Sequence, residues 1–422
     1  GLLQKVEVAG PGFVNLWLAE DCWQDVLKSI VARGAAYGHS EVGSGRSVQV
    51  EFVSANPTGP LSTGHGRQAI LGDCIARLLE VTGWRVTREY YFNDGGRQMR
   101  VLGESTRARY LELLGRAAVR TEAGQGETAA KEGLPVVFPE DGYRGEYIIE
   151  IARGLVEEHG EALIEEPGEG IFRERAEAII FAEIRKTLDL IGIDFDLYFN
   201  ERSLIEDGKL EKTLADLREA GLVYESEGAV WLRATELSLD RDRVLVKGTG
   251  EPTYLLPDIA YHREKYSRNF DEMIDVLGAD HIEQFPFVRA AVATLGCDPE
   301  RLKLVMHQFV TLTAGGEKVK QSTRRATFVT IDDLVGDVGV DVFRFFMIER
   351  RPDGHLDFDM DLAKDRNWRK NPAYTVQYAY ARTHGIERKA IELGVEMPKT
   401  GKFDATALNL PEELELIKKL GE

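Results

Sequence analysis

Residues 47–67 read SVQVEFVSANPTGPLSTGHGR, and this stretch decides the fold. Its first residues alternate in polarity with a period of two, which predicts a strand: Val48, Val50 and Phe52 alternate with Gln49 and Glu51. A loop rich in glycine and proline follows. Beyond the loop, apolar residues repeat at helical spacing up to Gly83, and a second strand is predicted over Val86 to Phe92.

The loop of this β–α–β unit has the features of a phosphate site. In a parallel strand pair joined by a crossover helix, the loop lies at the carboxyl end of the sheet, and the free N–H groups of the helix face the ligand. His65 stands at the predicted helix start, and Glu51 points away from the apolar face of the first strand. We therefore expect an acid and an imidazole to meet at one crevice.

The composition excludes several classes of protein. A chain of 422 residues predicts roughly three domains. No run approaches the roughly 20 apolar residues of a transmembrane helix, so no membrane partner is expected. The cysteines, Cys22, Cys74 and Cys297, lie far apart without a C-x-x-C pair. This spacing indicates reduced thiols in the cytoplasm and argues against a zinc ribbon, and no metal-binding residues are predicted.

The net charge of −18 argues against nucleic acid as a partner when taken alone. Basic residues nevertheless gather in places, for example within 364–370 and 382–389. Screening limits charge interactions to about 8–10 Å in physiological salt, so an acidic protein can carry a local phosphate-binding face. Any one of these clusters is more commonly a solvated helix face.

Patterning along the chain separates residues 1–44, the β–α–β unit, a third segment over 98–195, a fourth that runs from Ile193 to Leu312, and the remainder. The third segment is mostly helical around a flexible loop at Thr121 to Gly133. The fourth alternates strands and helices, with strands predicted at Val244–Val246, Met273–Leu277 and Lys303–Leu312. Everything beyond residue 330 is predicted to be helical. The third segment therefore interrupts a nucleotide-binding sheet.

Two further stretches could carry chemistry. Gly278, Asp280 and His281 follow a predicted strand, where Asp280 is placed to take ribose hydroxyls. An Asp or His after a strand is, however, more often a helix N-cap. The stretch 315–325 has a double glycine followed by cations, Lys318, Lys320, Arg324 and Arg325. A mobile loop closing on polyphosphate needs such a hinge and charge, although alone this stretch is more typical of a solvated surface loop.

A rival interpretation concerns residues 64–69, which fit the G-x-G-x-x-A dinucleotide fingerprint and would imply an NAD-dependent oxidoreductase. That fingerprint should begin directly after the first strand, whereas about ten residues with two prolines precede Gly64 here. Glu80, the acid at the required distance, lies inside the predicted helix. The oxidoreductase interpretation is therefore disfavoured.

The stretch from Ser54 to Arg67 resembles the "HIGH" region of class I aminoacyl-tRNA synthetases, and specifically of arginyl-tRNA synthetase. Other stretches resemble the same family in the same order: Tyr91–Met99, Tyr254–His262, Gly278–His281, Lys320–Arg324, His355–Asp359 and Asn371–Arg382. Together they span roughly residues 5–392, and several motifs in order are far more specific than any one of them.

The resemblance implies an α/β fold: a Rossmann-type parallel-sheet catalytic domain with a helical insertion, followed by a C-terminal α-helical bundle. Residues 1–44 would end an N-terminal tRNA-binding domain or form a junction, 45–97 and 196–350 would be the catalytic halves, 98–195 the insertion, and 351–422 a partial anticodon-binding domain. The implied activity is ATP-dependent ligation of L-arginine to tRNA-Arg through an arginyl-adenylate, by a cytoplasmic monomer, with Mg²⁺ accompanying ATP.

The resemblance also assigns residue roles. The arginine-binding residues would be Glu51, Ser54, Asn56, Tyr254, Asp258 and His281. The ATP-binding residues would be Gly64, His65, Gly66, Gly278, Asp280, Lys320 and Ser322. Catalysis would fall to His65, Lys320 and Arg324, and tRNA binding to Tyr378 and Arg382. A guanidinium needs planar, bidentate anionic partners, so we predict that Glu51, Asn56, Tyr254 and Asp258 converge on one pocket.

Two signature positions depart from the family pattern. Ser62 stands where the first signature histidine is expected, and Thr323 stands where the second lysine of "KMSKS" is expected, with Gln321 for its methionine. Activation must then proceed without one imidazole and one ammonium, for which Lys318, Lys320 or Arg324 could substitute. The alternative function is a catalytically weak paralogue that acts as a tRNA-binding or amino-acid-sensing module.

Overall fold

The computed structural model describes residues 2–117, 135, 137–319, 329–395 and 403–421. The chain packs into two compact units. One consists of residues 1–42, 81–83 and 375–422, and the other of residues 43–80 and 84–374. The second, larger unit contains the predicted phosphate loop.

The strands and helices are numbered in chain order. The strands are β1 Leu3–Ala9, β2 Phe13–Leu18, β3 Ser47–Glu51, β4 Arg85–Phe92, β5 Leu197–Asn200, β6 Val223–Ser226, β7 Ala229–Leu232, β8 Arg243–Val246, β9 Glu272–Gly278, β10 Leu302–His307, β11 Val310–Ala314, β12 Glu317–Lys318 and β13 Leu356–Asp359. The helices are α1 Glu20–Arg33, α2 Thr63–Val81, α3 Gly96–Leu113, α4 Glu146–His159, α5 Arg173–Leu190, α6 Arg202–Glu206, α7 Lys209–Glu219, α8 Leu255–Ser267, α9 Phe285–Thr294, α10 Ile331–Val338, α11 Val340–Ile348, α12 Met360–Lys364, α13 Pro372–Glu392 and α14 Pro411–Gly421.

The predicted β–α–β unit is confirmed as β3, α2 and β4. The two strands are parallel, with Val48 opposite Val86 and Glu51 opposite Glu89. Helix α2 lies close to the end of β3, since a Cβ on Gly72 would come within 2.2 Å of the Phe52 ring. Only glycine permits this approach, and the packing fixes the helix above the loop.

The central sheet has five parallel strands in the order β10-β9-β3-β4-β5. From β3 the chain moves to β4 and β5 on one side, then returns to β9 and β10 on the other. The order therefore reverses between β3 and β9. A crevice outside the carboxyl ends of the strands is expected at such a switch point, and both Glu51 and Gly278 end strands there. The α/β fold class is confirmed.

Helices α3, α4 and α5 lie between β4 and β5, where a helical segment was predicted. They pack on one another around a core that includes Tyr110 and Phe172, and the Tyr110 hydroxyl donates to the Gly160 carbonyl at 2.5 Å. The loop predicted at 121–133 lies outside the described residues.

Two predictions of secondary structure were wrong. The run Lys303–Leu312 is two strands in different sheets, because the chain breaks at Gln308, whose N–H donates to the Pro352 carbonyl at 2.9 Å and whose carbonyl accepts from Arg67 at 2.7 Å. Strand β13 forms in a region predicted to be helical, parallel to β11. The strand predicted at Val244–Val246 is confirmed as β8, which belongs to a separate antiparallel sheet with β6 and β7.

The smaller unit contains both ends of the chain. Strands β1 and β2 form a hairpin around Gly10 and Gly12, whose positive φ values of 57° and 89° allow the reversal. Helix α1 packs against α14, where a Cβ on Gly421 would lie 2.7 Å from Val26. Among the described residues, none of the helices has the length and apolarity needed to cross a membrane.

Candidate active site

A buried charge cluster lies beneath the carboxyl ends of β3 and β9. Glu51, at the end of β3, accepts a hydrogen bond from Tyr261 at 2.9 Å and forms an ion pair with Lys265. Lys265 is fully buried and also contacts Asp275 of β9 at 2.6 Å. One ammonium thus joins two carboxylates from adjacent strands.

The cluster continues along α8 to Asp258. His262 lies one turn after Asp258, with Nε2 2.8 Å from Asp275 Oδ2 and Nδ1 3.0 Å from Asp258 Oδ1. The other oxygen of Asp258 accepts from Gln284 Nε2 at 2.6 Å. Glu51 and Asp258, predicted to share one pocket, are therefore connected through Lys265, Asp275 and His262.

A second branch extends from Glu51 to β4. The Tyr261 hydroxyl lies 2.7 Å from Glu89 as well as 2.9 Å from Glu51. Glu89 receives a bidentate pair from Arg268, at 2.5 and 3.0 Å. The groups joined by these contacts are four carboxylates, two permanent cations and one histidine. Because the carboxylates outnumber the cations, the cluster is suited to a cationic ligand.

Burial and charge act together on the pKa values of the cluster. Burial raises the pKa of Glu51, although Lys265 opposes the shift. Burial also works against ionisation of Asp275, but Lys265 and His262 outweigh it and lower its pKa. For His262, burial favours the neutral ring, yet Asp275 and Asp258 raise its pKa to about 10. The histidine therefore counts as a cation at neutral pH.

The backbone after β3 is strained. Val53 and Ser54 have φ values of 69° and 40°, a region that residues other than glycine rarely adopt, β-branched valine least of all. The Ser54 hydroxyl donates to Glu51 Oε1 at 2.9 Å and accepts from the Tyr91 N–H at 3.0 Å. A strained backbone conformation persists only when the surrounding contacts enforce it, and such conformations are most frequent at functional sites. Two of the residues predicted to bind arginine, Ser54 and Glu51, are thus in direct contact.

Other predicted arginine residues lie elsewhere on the same unit. Asn56 donates to the Gln98 side chain at 2.6 Å. Tyr254, just before α8, is 67% exposed and lines a cavity of about 450 Å³ together with Gln284. Because Gln284 also binds Asp258, this cavity adjoins the cluster. The full four-residue convergence stays a prediction.

The start of α2 fixes the orientation of His65. Its Nδ1 accepts from the Ser62 N–H at 3.1 Å, which leaves the ring proton of the neutral form on Nε2. Gly64 is exposed, whereas Gly66 is buried and a Cβ there would lie 2.7 Å from the Phe343 ring. Packing alone explains why residue 66 is glycine.

The segment after β9 was given two interpretations, a ribose site or a helix N-cap. The N-cap of the short 3₁₀ helix Ala279–His281 is Gly278, and the N-cap of α9 is Gln284. Asp280 and His281 therefore lie within the short helix rather than capping one. The ribose interpretation of Asp280 stays a prediction.

Lys320, Ser322 and Arg324 lie outside the described residues, but the flanks of their loop are described. On one side, Gly315 and Gly316 have positive φ values of 60° and 78° between β11 and β12. On the other, the Ile331 N–H donates to the Leu61 carbonyl at 3.0 Å, and the Thr63 hydroxyl donates to the Val329 carbonyl at 3.0 Å. The segment after the loop thus docks on the start of α2.

The two predicted tRNA-binding residues lie on the portion of α13 that belongs to the smaller unit. Arg382 Nη1 donates to the Tyr378 hydroxyl at 3.2 Å, as expected for residues one helical turn apart. Both side chains are at the surface, with Tyr378 37% exposed.

The residue-based prediction missed most of the buried cluster: His262, Lys265, Asp275, Glu89 and Tyr261. A signal was present. Residues 258, 261, 262 and 265 repeat at helical spacing on one face, and Asp275 interrupts an apolar strand. Charged residues are almost never fully buried unless paired, so a charge inside a core strand predicts a partner. The sequence does not say which residue that partner is.

The fold and the site together define a Rossmann-type nucleotide-binding enzyme domain with an acidic binding crevice. A family model described as "tRNA synthetases class I (R), catalytic domain" matches residues 26–123 and 144–356. The chain belongs to this family, the arginyl-tRNA synthetases.

Individual relatives support the same family assignment. An arginine–tRNA ligase of Desulfotalea psychrophila is 53% identical over 419 residues, which cover 99% of this chain and 72% of that protein. One of Salinibacter ruber is 49% identical, covering 99% of this chain and 74% of that protein. A crystal structure from Campylobacter jejuni, of a protein proposed to be an arginyl-tRNA synthetase, matches with a TM-score of 0.77 and 31% identity, covering 88% of this chain and 78% of that one.

Proposed function

We propose that this protein ligates L-arginine to tRNA-Arg at the expense of ATP through an arginyl-adenylate. One observation carries the proposal: Glu51 and Asp258, from different elements, belong to one buried network with an excess of negative charge. A guanidinium supplies the missing positive charge and can bind carboxylates in a bidentate manner. Family membership supports the same substrate.

The first step joins arginine to ATP. An oxygen of the arginine carboxylate attacks the α-phosphorus, the bond to the bridging oxygen breaks, and pyrophosphate leaves. Glu51 and Asp258 would hold the guanidinium, Ser54 and Asn56 the amino acid end, and Tyr254 and His281 would line the pocket. Holding both reactants in line replaces a bimolecular encounter, which is a large part of the rate enhancement.

The leaving pyrophosphate needs positive charge. The Nε2–H of His65, the N–H groups around Gly64 and Gly66, and the loop residues Lys320, Ser322 and Arg324 would supply it. The described residues 329–331 support this assignment because they dock on the start of α2, the helix that carries His65. Gly278 and Asp280 would bind the adenosine.

The second step moves the arginyl group to tRNA. A ribose hydroxyl of the 3′-terminal adenosine attacks the activated carbonyl carbon, and AMP leaves with the bonding electron pair. Tyr378 and Arg382 would contact the tRNA, and residues 351–422 would form a portion of the anticodon-binding domain, with 1–44 at the junction to an N-terminal domain.

Mg²⁺ would accompany ATP as a component of that substrate. In the part of the chain that the structure describes, no group of three histidine, cysteine or carboxylate side chains is arranged to hold a metal ion. The triphosphate itself offers the oxygen ligands that Mg²⁺ prefers. We further propose that the protein works as a monomer in the cytoplasm.

ATP–pyrophosphate exchange tests the proposal. Labelled pyrophosphate should enter ATP only when arginine is present, and citrulline, its uncharged analogue, should not replace it. The assay is run with and without tRNA-Arg, because some activation steps need the tRNA in place. Arginine binding without exchange under both conditions would instead support the alternative, a sensing or tRNA-binding module.

A further inference from the structure

The ring of His262 is surrounded by hydrogen-bond acceptors. Nε2 lies 2.8 Å from Asp275 Oδ2, and Nδ1 lies 3.0 Å from Asp258 Oδ1 and 2.8 Å from the Asp258 carbonyl oxygen. The side chain is 6% exposed. A neutral imidazole carries one N–H, so one nitrogen would present a lone pair to an oxygen. Only the imidazolium donates on both sides.

Charged groups from three elements act on His262. They are Asp258 and Lys265 of its own helix, Asp275 of β9 and Glu51 of β3. The uncharged ring of Tyr261 packs edge-on, with its centroid 5.5 Å away. Lys265 repels a positive ring, but it is itself shared between Asp275 and Glu51. The two carboxylates in direct contact therefore decide the charge of the ring.

We propose that His262 is a positioning residue for arginine: as an imidazolium it keeps Asp258 ionised and aimed at the substrate guanidinium. This inference rests on the proposed function and assigns a role to a residue outside the predicted site. The carboxylate of Asp258 accepts from His262 with one lone pair and from Gln284 with another. Because a carboxylate has about four lone pairs, two remain to accept from a ligand. Its side chain is 30% exposed, which leaves it accessible.

The charge count explains why the histidine matters. With His262 charged, the cluster holds Glu51, Glu89, Asp258 and Asp275 against three cations, one short of neutrality. One guanidinium completes the balance. With a neutral residue at 262, the cluster is one charge further from neutrality, which favours proton uptake by a carboxylate, and Asp258 loses the ion pair that holds it.

Exchange kinetics separate this role from a purely structural one. His262→Gln keeps a hydrogen-bond donor but removes the charge. We expect the arginine KM to rise about 10- to 100-fold, while kcat at saturating arginine and the KM for ATP change less than about threefold. His159→Gln, a histidine on α4 outside the cluster, is the matched control.

The pH profile gives the second readout. The wild-type arginine KM should stay flat between pH 6 and 9. In His262→Gln, Asp258 takes up a proton more readily, so KM should rise further toward pH 6. An unchanged KM with a flat profile in the variant would overturn the inference. A wild-type enzyme without arginine-dependent exchange would overturn the proposed function and this inference with it.

The charge of the ring can be observed directly, even if the variant fails to fold. Wild-type protein labelled with ¹⁵N-histidine should show, at pH 8.5, one histidine whose two ring nitrogens are both protonated. In folded His262→Gln that signal should be missing. A wild-type spectrum in which every histidine is neutral at pH 8.5 would refute the imidazolium and the role built on it.

Discussion

Replacing Lys265 with methionine should destabilise the larger unit in a way that depends on pH. The ammonium is fully buried between Glu51 and Asp275, whose side chains are 8% and 1% exposed. Lys265→Met keeps the volume and removes the charge. Asp275 then keeps only His262 as a charged partner, and Glu51 keeps only hydroxyl donors. Leaving a buried carboxylate without its cation costs far more than losing an exposed ion pair.

The loss of stability is limited by the least costly way to relieve the repulsion between the two carboxylates, which is protonation of one carboxyl group. Neutralising a carboxyl group with an ordinary pKa of 4.5 costs about 5 kcal/mol at pH 8 and about 1 kcal/mol at pH 5.5. With an unfolding entropy typical of a unit this large, these free energies correspond to Tm decreases of roughly 7 °C and roughly 2 °C.

This pH dependence is opposite in sign to that of Asp275 in the wild-type protein. Lys265 and His262 lower the pKa of Asp275 despite its burial, so its contribution to stability is present above its ordinary pKa and is lost only in strong acid. In Lys265→Met the folded-state pKa of one carboxyl lies above its unfolded value. That contribution is therefore present at low pH and lost as pH rises, so the variant recovers toward the wild type on acidification.

Differential scanning fluorimetry at pH 8 and pH 5.5 measures both values. Lys209→Met is the matched control, because Lys209 also bridges two carboxylates, Asp207 and Glu264 at 3.0 and 3.1 Å, but is 34% exposed. Its Tm should change by about 1 °C or less. Equal Tm decreases at the two pH values, or identical behaviour of the two lysine variants, would refute the reasoning.

Three further changes test other features of the protein. In calorimetry, Asp258→Asn should weaken arginine binding by about 2–5 kcal/mol without changing the affinity for ATP, because the guanidinium loses a charged partner. An arginine affinity equal to that of the wild type would contradict the role of Asp258. Gly66→Ala should cost about 1–3 kcal/mol of stability, since the new Cβ would lie 2.7 Å from Phe343, whereas Gly64→Ala, with its nearest atom at 3.8 Å, should melt like the wild type. Lys320→Ala should slow adenylate formation about 10²- to 10³-fold in rapid-quench experiments and leave arginine affinity unchanged; an unaltered rate would mean that the loop has no role in catalysis.

Local patterns predicted much of the fold. The alternation of Val48, Val50 and Phe52 and the apolar stripe after Gly66 indicated the β–α–β unit, because both are properties of contiguous residues. The break at Gln308 was not predicted. It depends on Arg67, whose guanidinium donates to the carbonyls of Gln308, Arg351 and Gly354, and nothing in the local sequence of 303–312 reveals that contact.

In the site, too, local sequence patterns identified some residues and long-range packing determined the others. Glu51 and His65 stood out because each ends or begins an element beside a glycine-rich loop. Lys265 and Asp275 pair across a helix and a strand, and Lys265 reaches Glu51 over more than 200 residues of sequence. Long-range pairing of this kind is set by the packing of α8 on the sheet. Periodicity can therefore predict that these residues face the core but not which charges they meet.

Aminoacylation of purified tRNA-Arg tests the central claim most directly. Incubated with ATP and labelled arginine, the protein should produce arginyl-tRNA that is resolved from free tRNA on an acidic gel. The product should depend on ATP, and it should not form with citrulline or with lysine, whose compact ammonium cannot make the planar bidentate contacts of a guanidinium. Charging of tRNA with lysine instead of arginine, or an absence of both arginyl-adenylate and arginyl-tRNA with arginine and ATP saturating, would contradict the account.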